Sequence, residues 1–432
     1  MDMTKRRRTA LVWLLLCASI SVFWGYSIER ASPYGLFDFK VVYYSARCLL
    51  QHSDPYKAGE PMRVYMADGG APSDTLLGIL SQYMYLPAAF IVSVPFAMLP
   101  YGLAHILWMT FTAGSLFLAA FLMWNLAGDS SPGVSLFLIS FVLANSEILM
   151  KSGNPAGITV GLCVMAVWCF LEERFVPVGI LCLAVSLAIK PHDSGLVWLY
   201  FLLAGGVYRK RALQTLALTV ALSLPAVLWV TSVAPHWMQE LHSNLQTVSQ
   251  PGGLLNRDPD STISRSCPSM IINLQSTISA FWNDPRFCNS VSYLVCGTLL
   301  LIGAIHTLRS RFSRPGAWMA LAAIVPLTML ITYHRCYDAK LLLLTVPACA
   351  MLWAEGGPAR WIALLVNTAG IVFTSDIPLE MINIAVGNRH VATAGLSAET
   401  LTAVLLRPTP LILLAMGIFY LWVYLRREPE RG

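Results

Sequence analysis

Asp38 lies near the start of a polar and aromatic stretch, Gly35 to Leu50, that follows the first apolar run of the chain. Apolar side chains recur in this stretch with helical spacing, which predicts an amphipathic helix lying flat in a membrane interface. A carboxylate held at that boundary is suited to act as a general base. The alternative is that Asp38 caps the helix by accepting backbone N–H groups. The local sequence leaves both interpretations open.

Lys190 stands in a second polar interruption, Lys190-Pro191-His192-Asp193, between two apolar runs. Ionisable groups close to a membrane are costly and often mark function. A lysine at this boundary is a compact point charge that suits a lipid phosphate. The alternative is that its long side chain only extends to the interface.

The densest polar feature near an apolar run is Tyr333-His334-Arg335-Cys336-Tyr337-Asp338-Ala339-Lys340. Solvation can explain each of its four ionisable residues separately, but a short turn rarely needs so many. We expect His334 and Arg335 to hold a phosphate or diphosphate, and Asp338 to orient one of them. The cluster therefore favours a function over a merely solvated turn.

Nucleotide and metal chemistry have no support in the sequence. There is no P-loop, no GxGxxG at a strand-to-helix junction and no Cys/His zinc spacing. The sequence therefore predicts no cofactor and no metal. Most of the ten cysteines lie in apolar runs, where cysteine behaves as a small hydrophobic residue. Cys267 and Cys288 share one polar loop and would be able to pair if it faces an oxidising compartment.

The composition predicts the elements that must position these residues. Of 432 residues, 56% are hydrophobic and 12% are charged, whereas soluble proteins average about 45–50% and about 25%. So little charge predicts an all-α polytopic membrane protein and excludes nucleic-acid binding as the main role. A spanning helix needs about 20 residues. The twelve candidate runs are 10–28, 103–126, 134–150, 155–171, 177–190, 193–207, 213–232, 292–308, 317–333, 339–354, 358–374 and 401–425.

One further apolar segment, 88–99, is too short to cross and predicts a re-entrant or interfacial piece within 83–100. Lys and Arg collect on cytoplasmic loops, so the net charge of +6 is a topology signal. Twelve spans place every basic cluster and both termini in the cytoplasm. The two long loops, 29–82 and 234–290, are then extracytoplasmic, and the chain 1–432 is a single integral-membrane domain. The basic clusters are Lys5–Arg8, Arg209–Arg211, Arg309–Arg314 and Arg426–Arg427.

A series of short motifs covers most of the chain in a set order. These are Asp38-Phe39, Tyr43-Tyr44-Ser45-Ala46, Leu49-Leu50, Asp54-Pro55-Tyr56, Tyr85-Leu86-Pro87, Ser152-Gly153-Asn154-Pro155, Ala188-Ile189-Lys190-Pro191 and Tyr333-His334 with Tyr337-Asp338. The series resembles the GT-C superfamily of integral-membrane glycosyltransferases, and within it glycosyltransferase family 87, which includes phosphatidylinositol-mannoside mannosyltransferases. The chain departs from that pattern at Leu86-Pro87, where the family often has two prolines, and at Gly153-Asn154, where it has Gly-Gln.

The resemblance implies transfer of mannose or another hexose or pentose from a polyprenyl-phosphate donor to a lipid or glycan acceptor. Asp38 would be the catalytic base of an inverting displacement, and His334 a second catalytic residue. Lys190 and Arg335 would bind the donor phosphate and stabilise the charge that develops on it. The remaining substrate-binding residues would be Tyr44, Tyr85, Asn154, His192, Tyr337 and Asp338. The site would open to the extracytoplasmic face of the plasma (inner) membrane and its lipids.

Two other classes of membrane protein remain open. A polyprenyl-lipid transporter or flippase predicts internal repeats and helices broken at the bilayer midplane. The sequence shows no repeat, and its polar residues gather at one predicted boundary. A ligase that moves a whole lipid-linked glycan would share the fold of a glycosyltransferase.

Overall fold

The computed structural model describes residues 3–31, 37–71, 80–250, 271–378 and 407–427, together with Gly78 and Met381. Within this part of the chain the regular structure is helical, with one isolated antiparallel bridge between Ile271 and Arg335. The first helices are α1 (Met3–Ala31), α2 (Phe37–Leu50), α3 (Glu60–Ala67), α4 (Phe90–Ala97), α5 (Tyr101–Ala127), α6 (Pro132–Ala144), α7 (Glu147–Ser152), α8 (Ala156–Leu171), α9 (Val176–Ile189) and α10 (Pro191–Leu203). They are followed by α11 (Gly206–Val233), α12 (Trp237–Ser249), α13 (Leu274–Ile278), α14 (Pro285–Arg309), α15 (Arg314–Ile331), a 3-10 helix (Cys336–Thr345), α16 (Val346–Glu355), α17 (Ala359–Val372) and α18 (Pro408–Arg426).

Each of the twelve apolar runs carries a helix. Among the described residues, eight helical segments are long and apolar enough to cross a membrane. These are Arg6–Arg30, Tyr101–Ala127, Pro132–Ser152, Gly206–Val233, Pro285–Arg309, Arg314–Ile331, Cys336–Glu355 and Pro408–Arg426. The prediction of an all-α polytopic membrane protein is confirmed. The count of twelve spans and the side on which each loop lies remain predictions.

The segment 88–99 forms a single turn of 3-10 helix at Pro87–Ala89, followed by the eight-residue helix α4. At 1.5 Å per residue α4 is about 12 Å long, well short of the roughly 30 Å of a hydrocarbon core. Pro100 follows it and α5 begins at the next residue. This geometry favours the predicted re-entrant or interfacial segment.

Helix α2 is buried on more sides than its amphipathic pattern predicts, because α3 and α4 pack against it. Phe39 lies on the ring of Trp108 at a centroid distance of 4.9 Å. The Tyr43 hydroxyl donates to the carbonyl oxygen of Leu99 at 2.7 Å. Asp54-Pro55-Tyr56 forms a turn, in which the Tyr56 N–H donates to Asp54 Oδ1 at 2.9 Å.

Three interruptions of the helices place polar groups inside the molecule. Gly153 (φ +63°) adopts the left-handed conformation that glycine allows, and it separates α7 from α8. Lys190 is non-helical between α9 and α10, where Pro191 stops α9 from continuing. After α15 the backbone is extended at Thr332 and again at Arg335, where the 3-10 helix starts.

Candidate active site

A cavity of about 330 Å³ lies where these interruptions meet the start of α2. Eight of the ten predicted site residues line it, contributed by five separate parts of the chain. The lining residues are Phe37, Asp38, Val41, Met84, Tyr85, Asn154, Lys190, His192, Leu245, Thr332, Tyr333, Arg335, Tyr337 and Asp338.

Asp38 enters the cavity from the first turn of α2, where its side chain is half-buried. Its Oδ2 accepts a hydrogen bond from Asn154 Nδ2 at 2.8 Å. Asn154 Oδ1 in turn accepts from the Ala156 N–H at 2.9 Å, which fixes the orientation of the amide. Burial raises the pKa of Asp38 above the ordinary aspartate value, and the charge of Arg335 and the Asn154 amide offset part of this rise. The carboxylate is therefore held in place and kept a stronger base than an exposed aspartate.

Lys190 is buried, and its charge faces two carboxylates. Its Nζ donates to Asp338 Oδ1 at 2.5 Å and lies 3.5 Å from Asp193 Oδ2. The Nζ also lies 5.5 Å from the centre of the Tyr337 ring. Asp338 Oδ2 accepts from the Arg335 backbone N–H at 2.8 Å. Asp338 thus ties Lys190 to the segment that carries Arg335.

The Arg335 guanidinium lines the cavity and is almost entirely buried. Its Nε donates to the hydroxyl of Tyr333, and the guanidinium lies 5.8 Å from the centre of that ring. Arg335 and Lys190 give the cavity two cations beside the Asp38 carboxylate. Such a set can take a proton at one point and stabilise an anion at another.

Tyr85 reaches the cavity from the segment that precedes α4. The Tyr56 hydroxyl donates to its carbonyl oxygen at 2.9 Å. Asn244 of α12 donates to the carbonyl oxygens of Tyr56 and Tyr83 at 2.9 and 3.2 Å. Helix α12 therefore holds this wall of the cavity in position.

His334 does not line the cavity. It lies between Tyr333 and Arg335, which both line the cavity, but its own side chain is outside the lining. Its ring is fully buried, 5.1 Å from the ring of His192, with Nε2 at 3.1 Å from Asp193 Oδ1. Within the described residues, His192, Asp193 and His334 each bring one potential metal-ligand atom to within 4.8 Å of the others.

Tyr44 also lies outside the cavity. Its ring is buried against Tyr43, Tyr65 and Tyr101 at centroid distances of 5.0, 5.1 and 6.0 Å. This follows from the packing of α3 and α5 on the face of α2 that carries Tyr44. The placement gives no support to a direct role for Tyr44 in substrate binding.

The cavity and its wall include residues that were not predicted as site residues, among them Asp193, Tyr333 and Leu245. Asp193 follows Lys190 by one helical turn, a spacing that indicates a side-chain pair on one helix face. Tyr333 stands in the predicted polar cluster beside two candidates. Leu245 lies on α12, within the segment 234–290 that the sequence assigns to the second long loop. The proposed pairing of Cys267 and Cys288 cannot be placed, since Cys267 lies outside the described residues.

A comparison with protein families settles which class of protein carries this cavity. The sequence profile of glycosyltransferase family 87 matches residues 83–332, which is more than half of the chain. The chain belongs to glycosyltransferase family 87. No curated protein and no solved structure matches it.

In this family 87 chain the matched range contributes Tyr85, Asn154, Lys190 and His192 to the cavity. Asp38 reaches the cavity from before the matched range, and the segment from Tyr333 to Asp338 reaches it from after. The resemblance stated from the motifs is confirmed, and the chain is a membrane glycosyltransferase. Two parts of the chain beyond the family profile complete its cavity.

Proposed function

We propose that this family 87 glycosyltransferase uses a polyprenyl-phosphate sugar as donor and a lipid or glycan as acceptor, with inversion at the transferred carbon. The observation that carries the proposal is the shared cavity, which holds the Asp38 carboxylate together with the cations of Lys190 and Arg335. The proposed location is the extracytoplasmic side of the plasma (inner) membrane, where the topology predicted from the basic clusters puts these residues.

In the proposed reaction Asp38 takes the proton of an acceptor hydroxyl. The acceptor oxygen then forms a bond to the anomeric carbon of the sugar. On the opposite side, the bond from that carbon to the phosphate oxygen breaks, and its electron pair leaves with polyprenyl phosphate. The raised pKa of Asp38 supports this role, since a base works best when its pKa approaches the working pH.

Lys190 and Arg335 are proposed to bind the donor phosphate. Negative charge on the bridging oxygen grows as the glycosidic bond breaks, so cations placed there stabilise the transition state more than the ground state. Tyr85, Tyr337 and Asp338 line the same cavity and would contact the sugar or its phosphate. His334, lying behind this wall, would position Asp193 and His192 without contacting the donor.

The size of the cavity distinguishes the proposal from a lipid-linked glycan ligase. Ligand pockets occupy about 300–1,000 Å³, and a cavity of about 330 Å³ is at the small end of that range. It suits one sugar phosphate better than an assembled glycan. A flippase is disfavoured by the family match, because the family consists of glycosyltransferases.

The test is a donor screen with the full-length protein purified in detergent. Polyprenyl-phosphate sugars that differ only in the sugar are offered with extracted membrane lipids, and free polyprenyl phosphate is measured. We expect acceptor-dependent release with one donor and retention of the sugar on a lipid or glycan product. Release from none of the donors, with activity from a nucleotide sugar instead, would overturn the proposal.

A further inference from the structure

We propose that His192, Asp193 and His334 form a binding site for one divalent transition-metal ion in the wall of the cavity. Asp193 Oδ1 lies 3.1 Å from His334 Nε2 and 3.6 Å from His192 Nε2. One ligand atom from each of the three residues lies within 4.8 Å of the other two. Ligands of one small ion are separated by only a few ångströms, so modest side-chain rotation brings these three onto a common centre.

His334 has the two-sided environment typical of a metal-binding histidine. Its Nδ1 lies 3.2 Å from the hydroxyl and 3.3 Å from the carbonyl oxygen of Thr332. Metal-ligating histidines commonly donate their second ring N–H to such a carbonyl, which leaves the other nitrogen free to bind the ion. Here that other nitrogen is Nε2, which is buried and faces Asp193 Oδ1 at 3.1 Å.

Asp193 also has electron pairs to offer. Both carboxylate oxygens are buried, and Oδ1 lies 3.1 Å from His334 Nε2. Lys190 Nζ approaches Oδ2 at 3.5 Å, but its hydrogen bond goes to Asp338 at 2.5 Å. A buried carboxylate that shares one lysine with a second carboxylate is stabilised by a further cation.

His192 opens the site to the cavity. Its side chain is exposed and belongs to the cavity lining, whereas Asp193 and His334 are buried behind it. Three protein ligands with a fourth position open to solvent or substrate are the pattern of catalytic zinc sites. The fourth ligand would be a water or a phosphate oxygen. A phosphate oxygen as the fourth ligand rests on the proposed function, whereas the binding of the ion does not.

The charges around the cavity favour a cation. Three carboxylates, those of Asp38, Asp193 and Asp338, face the two cations Lys190 and Arg335. With neutral histidines the group carries a net charge of −1, and a bound dication changes it to +1, which suits an anionic donor. Two imidazoles and one carboxylate suit Zn²⁺ or another first-row transition metal better than Mg²⁺ or Ca²⁺.

The competing explanation is that His334 carries two protons and forms a direct ion pair with Asp193. This explanation requires no metal. The two explanations differ in the metal content of the protein, so the test needs no transferase assay. A negative result leaves the proposed transfer reaction standing, and failure of that reaction leaves the metal site standing.

The experiment uses full-length protein without a polyhistidine tag, stripped with a chelator, loaded with Zn²⁺ and passed through a desalting column. Zinc is measured by mass spectrometry, and Co²⁺ loading gives a second readout through its visible absorption bands. We expect about one zinc per chain and an affinity at least about 10–100-fold lower in His192→Ala, a loss typical of damage to a metal site. His242→Ala, on the exposed side of α12, is the matched control and should bind zinc as the wild type does.

His192→Ala decides the outcome, because this exposed side chain can be removed without opening the core. His334→Ala should lose zinc to the same extent, and its thermal unfolding shows whether the variant folds. Wild-type protein that holds no more zinc than an unrelated membrane protein would overturn the proposal. Stoichiometric zinc in folded His192→Ala would overturn it as well.

Discussion

The Asp38 carboxylate receives one amide hydrogen bond and faces a cavity with two cations, so its ionised form is the one that the site is built around. Asp38→Asn keeps the shape of the side chain and removes the base. We expect sugar transfer to fall by about 10²–10⁴-fold, the usual contribution of a general base, with little change in thermal stability. Initial rates and thermal unfolding are measured on the same preparation.

The matched control for that change is Asp68→Asn, which alters an exposed aspartate that lies 3.6 Å from Arg47 at the molecular surface. It should transfer sugar at the wild-type rate. Wild-type turnover in a folded Asp38→Asn variant would show that another group accepts the proton.

If Asp38 is the base, as proposed, the pH dependence of transfer reports on its ionisation. The base acts when deprotonated, so activity falls as the pH drops through its pKa, which burial raises above that of an exposed aspartate, about 3.9. The Asn154 amide stabilises the anion and lowers this pKa. Asn154→Ala should therefore move the acid limb of kcat/KM to higher pH, measured as a rate profile between pH 4 and 9.

The control for the pH profile is Asn244→Ala, which removes an asparagine whose amide donates to the carbonyl oxygens of Tyr56 and Tyr83. Its acid limb should stay where the wild type has it. If the acid limb does not move in Asn154→Ala, or moves to lower pH, the limb does not report the ionisation of Asp38.

Lys190 has both a structural and a proposed chemical role, and two variants separate them. Lys190→Met leaves Asp338 without its buried partner, so we expect a loss of about 3–5 kcal/mol of stability and of about 10²–10³-fold in turnover. Adding Asp338→Asn removes one of the two carboxylate charges that faced Lys190 and should restore part of the thermal stability without restoring turnover. Lys57→Met, at an exposed position, is the control. If thermal stability and turnover recovered together, the role of Lys190 would be structural alone.

At the scale of helices, the turn between α7 and α8 determines where Asn154 stands. Gly153 has a φ of +63°, and its carbonyl oxygen accepts from the Trp108 indole N–H at 2.8 Å. Gly153→Ala places a side chain in the left-handed region at a cost of roughly 1–2 kcal/mol. We expect lower thermal stability and a displaced Asn154, seen as reduced transfer.

Gly114→Ala is the matched control for the turn, since Gly114 is helical within α5 and a Cβ there meets no atom within 4 Å. It should leave transfer unchanged. Equal effects of the two alanines would mean that the left-handed turn does not constrain the site.

The helices themselves were predictable because each run of apolar residues in lipid must satisfy its backbone internally. The extent to which each helix is buried was not predictable. The spacing in α2 shows one apolar face, and nothing in it indicates that α3 and α4 cover much of the remainder. The position of His334 behind the cavity wall was not predictable for a related reason. Whether the chain between α15 and the 3-10 helix is helical or extended decides which of two neighbouring side chains faces the cavity, and a polar turn does not specify that choice.

For the whole molecule, the predicted topology has a direct test. Single cysteines are introduced at Lys210 and at Lys57, two exposed positions on opposite predicted sides. A membrane-impermeant thiol reagent should label the first only from the cytoplasm and the second only from outside, because Lys and Arg clusters stay inside. The native cysteines provide the background, measured in the parent protein. Labelling of both positions from the same side would contradict the arrangement of twelve spans.

The convergence of distant residues was the part of the site that spacing alone could not predict. Asp38, Asn154, Lys190 and Arg335 are separated by long stretches of helix, and helical periodicity fixes only neighbours within a few turns. The family resemblance grouped them because it carries information about the folded state. The resemblance did not indicate Asp193, whose role depends on side chains that meet only after the helices pack.

The cavity wall has a consequence for how the protein is made. About 300 residues separate Asp38 from Asp338, so at about 5–20 residues per second a ribosome needs about 15–60 s to synthesise the intervening chain. During that interval Lys190 has been made, but its partner Asp338 has not. A nascent chain that has already inserted its first helices therefore lacks part of the proposed phosphate-binding wall, and we expect transfer only after the segment that carries Asp338 has been added.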